Sequence, residues 1–303
     1  MFATLLGPYP PEPGIDDPQE AVHRTVAELE EAGLEPLTDG GEPLAPGPGI
    51  GPEDVVARWR RTASLTDRAV KQSLVGPYTL ARRGEDGGSA ATLQSLAERL
   101  RETVRALAAA GCPLVEIDEA AAVEIGEDQA ERERFADALR RLTEGVANDV
   151  HLSLALTGGN VDTIGARVLF DLPFASYAFD LIAGPDNWRL IAEAPGDRGI
   201  VCGALDPAAT GDDRPEILVW AAHYAASTGG RGLARVGLAN ASSLAALGRE
   251  RARRKIHALA EAARIASVGE AAELAAMLDP RAVDIRSAAT GRYSPPRGRR
   301  SRP

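Results

Sequence analysis

The chain has 303 residues, 44% of them hydrophobic and 4% aromatic, with a formal net charge of −10. That length accommodates one α/β barrel, which needs about 250 residues, or two modest domains. The acidic balance excludes general nucleic-acid binding by the body of the protein. With no long apolar run and no leader-like start, it predicts a soluble, cytoplasmic protein without membrane contact.

Strand-like and helical runs alternate from end to end, which predicts a parallel sheet. Residues 2–6 read as a first strand, stopped by Gly7-Pro8-Tyr9-Pro10. A helix over 18–32 follows, then a short strand over 34–37 that runs into Thr38-Asp39-Gly40-Gly41-Glu42 and a Pro/Gly-rich loop over 42–52. A third strand, 69–75, is stopped by Gly76-Pro77, and a helix over 90–110 leads to a fourth strand at 114–117. The helix 129–146 carries Phe135, Leu139 and Leu142 on one face at helical spacing. A fifth strand, 150–156, ends in Thr157-Gly158-Gly159-Asn160, either a plain turn or an anion cradle of backbone amides. Shorter strands at 174–179, 199–204 and 234–237, with helices at 243–267 and 270–278, complete eight units, the count of a (β/α)8 TIM barrel. No Gly-x-Gly-x-x-Gly turn follows a strand, which argues against an open dinucleotide-binding sheet. The expectation is one barrel domain over 1–280 and a disordered, basic, Pro/Arg-rich tail over 281–303.

The chemistry is concentrated where the strand 114–117 ends in Asp118 and Glu119. Barrels of this class build active sites from the C-terminal ends of their strands. Two acids there are costly unless solvated, bound or used, although one of them could simply cap the next helix. His151 alternates with apolar neighbours and shares a strand face with Asp149 and Ser153, as a pocket-lining or a packing residue. His23, His223 and His257 lie in helical runs and read as surface or packing residues. Cys112 and Cys202 sit in apolar runs, as buried hydrophobes rather than a disulfide or metal pair. Basic side chains are nearly all Arg, with Lys71 and Lys255 the two lysines.

Several strand ends together resemble the C-terminal catalytic domain of cobalamin-independent methionine synthase, in the superfamily of uroporphyrinogen decarboxylase. The resemblance is carried by Thr4-Leu5-Leu6-Gly7-Pro8-Tyr9-Pro10, by Gly33-Leu34-Glu35-Pro36-Leu37-Thr38-Asp39-Gly40, by Gly76-Pro77-Tyr78-Thr79-Leu80, and most specifically by Ile117-Asp118-Glu119-Ala120-Ala121. It implies a barrel that transfers a methyl group to a homocysteine-like thiol in methionine biosynthesis, with zinc binding the acceptor sulfur. The zinc ligands of that family, a His-x-Cys pair, a Glu and a Cys, fall on His151 and Ser153, Asp180 and Ser242. Serine in place of both thiolates leaves His151 and Asp180 as a degenerate zinc site, short of the usual three protein ligands. Pro8 stands where the family has a substrate-binding serine, and Ala208 where it has an acid-catalysis histidine.

The resemblance thus implies Asp118, His151 and Asp180 as catalytic residues and Glu42, Glu119 and Asp206 as substrate-binding residues. A corrinoid or other methyl-donor protein is an implied partner, beside a small-molecule substrate. Two alternatives stand beside methyl transfer. One is a metal-free enzyme like uroporphyrinogen decarboxylase, with Arg82 or Arg83 facing the pocket. The other is a non-catalytic barrel that binds a ligand or protein partner.

Overall fold

A computed structural model describes residues 1–47, 49–84, 89–211 and 213–269, together with Leu274, Ala275 and Leu278. Seven strands, all parallel, curl into one sheet: β1 (Phe2–Thr4), β2 (Lys71–Val75), β3 (Leu114–Asp118), β4 (His151–Leu156), β5 (Ser176–Asp180), β6 (Gly199–Leu205) and β7 (Val236–Asn240). Their order is β1-β7-β6-β5-β4-β3-β2, so the sheet is nearly a closed ring. The ring closes through the stretch expected to be a strand at 34–37. There the Glu35 amide donates to the Ala3 carbonyl on one side, and the Leu37 amide donates to the Ala69 carbonyl on the other. The Lys71 amide also donates to the Leu37 carbonyl, so Leu37 and Val70 form an isolated parallel bridge, and Pro36, with no N–H to donate, limits the pairing to this short stretch. The result is a TIM-barrel-like α/β fold with seven regular strands and an abbreviated eighth. Asn240 fastens the seam at the other side of β1: it accepts from the Leu6 amide and donates to the Leu6 and Ser242 carbonyls.

Strand alternation sorts the residues into two cores. Val115, Ile117, Leu152, Leu154, Tyr177, Phe179 and Ile200 face outward and are fully buried under the helices. Of the inward residues, the apolar ones, Leu6, Ala155, Ala178, Val201 and Ala239, form their own cluster with Phe2. A Cβ at Gly237 would come within 2.4 Å of the Phe2 ring, so glycine there is what lets this aromatic enter the barrel.

The helices that cover the ring are α1 (Pro18–Ala32), α2 (Pro52–Ala63), α3 (Pro77–Arg83), α4 (Ala90–Ala109), α5 (Gln129–Thr143), α6 (Ala166–Phe170), α7 (Trp188–Glu193), α8 (Pro215–Ser227) and α9 (Arg249–Val268). Caps set their ends in chemically ordinary ways. The Asp17 carboxylate accepts from the Gln19 amide at the start of α1, and Gly33, at φ 93°, ends it in the left-handed region. Trp59 of α2 donates its indole N–H to the Val70 carbonyl, anchoring a helix that follows the Pro/Gly-rich loop. The chain's two lysines are both buried in ion pairs: Lys71 Nζ lies 2.6 Å from Glu116 Oε2, and Lys255 Nζ 2.8 Å from Asp213 Oδ1. A compact ammonium suits these tight positions, while the exposed cations are arginines. The expected tail over 281–303 lies outside the described residues. Among the described residues, no helix is long and apolar enough to cross a membrane.

Candidate ligand site at the strand ends

Parallel strands place their last residues at one rim of the barrel and their first residues at the other. Asp118 is the last residue of β3, points inward by alternation, and is partly buried at the C-terminal rim. Thr157, the residue after β4, donates its hydroxyl to Asp118 Oδ1 at 3.5 Å. Burial, reinforced by the neighbouring Glu116 charge, pushes the Asp118 carboxyl up to about 6, against the opposing pull of Arg83, the Thr157 hydroxyl and Lys71. Asp118 is thus a carboxyl that changes charge near neutral pH at the rim where such barrels act.

Glu119 has a different task. Its side chain turns away from the barrel axis and is fully buried. Oε1 accepts from the Tyr78 amide at 3.0 Å, and Oε2 from the Thr79 amide and hydroxyl, both at 2.7 Å. The carboxylate therefore sits on the N-terminus of α3, where unpaired amides favour an acceptor. A Cβ on Gly76 would lie 2.2 Å from the Glu119 carboxyl carbon, so only glycine fits beneath it. The Thr79 hydroxyl oxygen also accepts from the Ala121 amide. The two most specific motifs of the sequence, Gly76-Pro77-Tyr78-Thr79 and Ile117-Asp118-Glu119-Ala120-Ala121, thus bind each other, about forty residues apart. Desolvation still raises the Glu119 carboxyl to about 7 despite these donors.

Asp180, at the end of β5, is likewise engaged. Oδ1 accepts from the Ile182 and Ala183 amides and Oδ2 from the Gly158 amide. Gly158 belongs to the turn considered as an anion cradle, and the anion it meets is this carboxylate. Burial raises the Asp180 carboxyl above its ordinary value while these backbone donors oppose the shift. Asn187 completes the knot by donating to the Asp180 and Gly159 carbonyls.

His151 is the first residue of β4, at the N-terminal rim, level with Leu114 rather than with Asp118. Four residues of strand separate that level from Asp118, about 13 Å. Asp180 stands level with Thr157, six residues beyond His151, about 20 Å along the strands. The expected His151–Asp180 pair therefore does not converge, and His151 and Asp118 occupy opposite rims. The imidazole Nε2 instead shares a hydrogen bond of 2.8 Å with Ser176 Oγ, and partial burial lowers its pKa. Ser153 lies inside the barrel and Ser242 is exposed at the C-terminal rim, beyond β7.

These placements do not fit a zinc ion. Among the described residues, no group of three or more His, Cys, Asp or Glu is placed to hold a metal. Both cysteines are buried, Cys112 just before β3 and Cys202 against α8, with thiols pushed up by burial to about 11 and about 12. At the C-terminal end of β4 the inward positions with one residue between them are Ala155 and, just past the strand, Thr157, neither of them a soft donor.

Of the remaining expected residues, Glu42 is exposed beside the C-terminal rim, near Gly7 and Ser73. Asp206 accepts from the Ala208 amide and lines a cavity of about 260 Å³ at the end of β6. Arg82 is paired with Glu124 at 2.9 Å, leaving Arg83 as the arginine whose charge Asp118 feels. Sequence reasoning missed Thr157 and the Lys71–Glu116 pair as barrel-lining groups. The signal was present in the alternation, since Lys71, Ser73, Glu116, Ser153 and Ser176 all occupy inward positions.

Comparison with known proteins agrees with the fold. The family of the cobalamin-independent synthase, N-terminal domain, matches residues 50–208, more than half of the chain, and the chain belongs to that family. The family shown is thus the N-terminal domain, not the C-terminal catalytic domain that the strand-end motifs resemble. No curated protein matches the sequence. A B12-independent methionine synthase from Shewanella sp. W3-18-1, in complex with selenomethionine, superposes with TM-score 0.69 and 14% identity over 87% of this chain and 96% of that one. A vitamin-B12 independent methionine synthase assigned in Listeria monocytogenes gives 0.68 and 16% over 87% and 97%. A methyltransferase from Methanosarcina mazei gives 0.60 and 14% over 86% and 92%.

Proposed function

We propose that this member of the cobalamin-independent synthase N-terminal-domain family binds an amino acid bearing a thiol or thioether at its C-terminal rim. Asp118 would be the recognition group, and methyl transfer to the thiol the reaction class. The observation that carries the reading is Asp118 itself: the inward carboxyl at the end of β3 with a pKa near 6 and a hydroxyl beside it. A substrate ammonium would pair with it, lower its pKa and release a proton on binding. The likeness to the C-terminal catalytic domain belongs to the same proposal, supported by the two interlocked motifs. So does the selenomethionine held by the Shewanella relative, an amino acid of the class proposed.

A zinc thiolate has no place in the reading, because His151, Asp180, Ser153 and Ser242 do not come together. Without it the proton of the acceptor sulfur would leave to solvent, because Asp118 is occupied by the substrate ammonium. The methyl donor would be a small molecule or a corrinoid protein docking at the same rim. Titration calorimetry with homocysteine and methionine between pH 5 and 8 tests the site. Saturable binding with proton release is expected, weakened about tenfold or more in Asp118→Asn, as befits a lost charged hydrogen bond. Equal affinity in the variant would remove Asp118 from the site.

A second reading, a binding barrel without turnover, is favoured by the engagement of Glu119 and Asp180 in backbone hydrogen bonds. Transfer of a labelled methyl group to homocysteine separates the two.

A further inference from the structure

A cavity also enters the barrel at the other end. A cavity of about 390 Å³ enters between the first residues of the strands, within the range of small-molecule sites. Nothing in the reading of the C-terminal rim uses it. One arc of its wall, from β2 to β5, is polar. Lys71 and Glu116 are paired there, and Ser73 donates to Glu116 Oε1 at 2.9 Å. His151 and Ser176 are paired at the mouth of the same arc. Ser153, 2% exposed, lines the cavity between them with no protein partner for its hydroxyl among the described residues. The opposite arc carries Phe2, Pro36, Val201 and Ala234, with Thr4 beside them and Asp197 and Arg235 at its outer edge.

The charges on this wall balance. Lys71 neutralises Glu116, and the other two charged residues of the lining, Asp197 and Arg235, carry one charge of each sign. A ligand with net charge would enter without a counter-charge, which is costly in a buried site. What the wall offers is a hydroxyl and imidazole edge facing an aromatic and aliphatic one. Such a wall matches a molecule with hydroxyls on one edge and C–H groups on its face. We propose that the N-terminal mouth is a second ligand site, taking a neutral polyhydroxylated molecule of monosaccharide size, with Ser153 as its central hydrogen-bonding group.

The test follows the ring signals of the chain's four histidines by NMR while D-xylose, D-glucose or sorbitol is added, with sodium butyrate as an anionic control. A saturable movement confined to His151 is expected with at least one of the three neutral probes. Ser153→Ala should weaken it about tenfold, one hydrogen bond's worth. Ala234→Trp, at an exposed position on the rim, should abolish it while the other three histidine signals stay in place, which shows that the fold is intact. No saturable shift with any neutral probe overturns the proposal. So does an undiminished shift in both variants, or a shift with butyrate alone. Because Asp118 does not enter, these outcomes are independent of the reading of the C-terminal rim.

Discussion

Replacing Asp118 by Asn removes one ionisable group from the C-terminal rim while keeping its shape and its acceptor for the Thr157 hydroxyl. In the folded chain the carboxyl is raised from 3.8 to about 6, mainly by burial. The difference is about 2 pKa units, or about 3 kcal/mol at 1.36 kcal/mol each. The sign follows from proton linkage. Because the folded state holds the proton more tightly than the unfolded one, this carboxyl's full stability is present below pH 4. It is lost as pH rises to about 6, and above that the ionised group costs the fold its full share. Asp118→Asn carries no such cost. Urea denaturation across pH 4 to 8 should show the two proteins equal at pH 4. The variant should pull ahead between pH 4 and 6 and hold a plateau of up to about 3 kcal/mol beyond. For a chain of this size that is about 5 °C in melting temperature. The stabilised variant should also be the one that loses amino-acid binding, as expected where a binding group is kept at the expense of stability. A variant no more stable than wild type at pH 7.5, or a gap that does not vary with pH, would refute the argument that Asp118 is an unpaired carboxyl kept for a ligand.

Glu119→Gln should act in the opposite direction. Its amide nitrogen must face at least one N–H donor of α3, and we expect a loss of about 2–3 kcal/mol in urea denaturation, with binding at the rim impaired only through misplacement of α3. Lys71→Met leaves the Glu116 carboxylate buried and unpaired and should cost about 3–5 kcal/mol, most of it recovered when Glu116→Leu is added; no recovery in the double variant would show that the pair is not an isolated unit. Saturating zinc should leave the melting temperature unchanged. A site filled a hundredfold above its Kd would add about 2.7 kcal/mol, so a clear zinc-dependent rise would restore a metal centre that the donor positions do not support.

The period-2 alternation of the strands, the strand-stopping Gly-Pro and Gly-Gly turns, and the helical spacing of Phe135, Leu139 and Leu142 are local properties. They are written residue by residue, so the barrel and most of its elements could be read without coordinates. The placement of Asp118 at the C-terminal rim was legible for the same reason, since it follows the last apolar residue of its strand. So, in principle, was the placement of His151, the second residue of the expected strand 150–156. Matching residue types to a family pattern set that position along the strand aside, and put His151 at the wrong rim. What lay beyond the sequence is which carboxylates have already found partners. Glu119 is engaged by amides forty residues earlier, and Asp180 by the turn after the neighbouring strand. An acid with a single hydroxyl beside it and one holding three donors have the same letter in the sequence. Only the folded ring, by bringing distant backbone N–H groups to some acids and not to others, decides which of them remains available to a ligand.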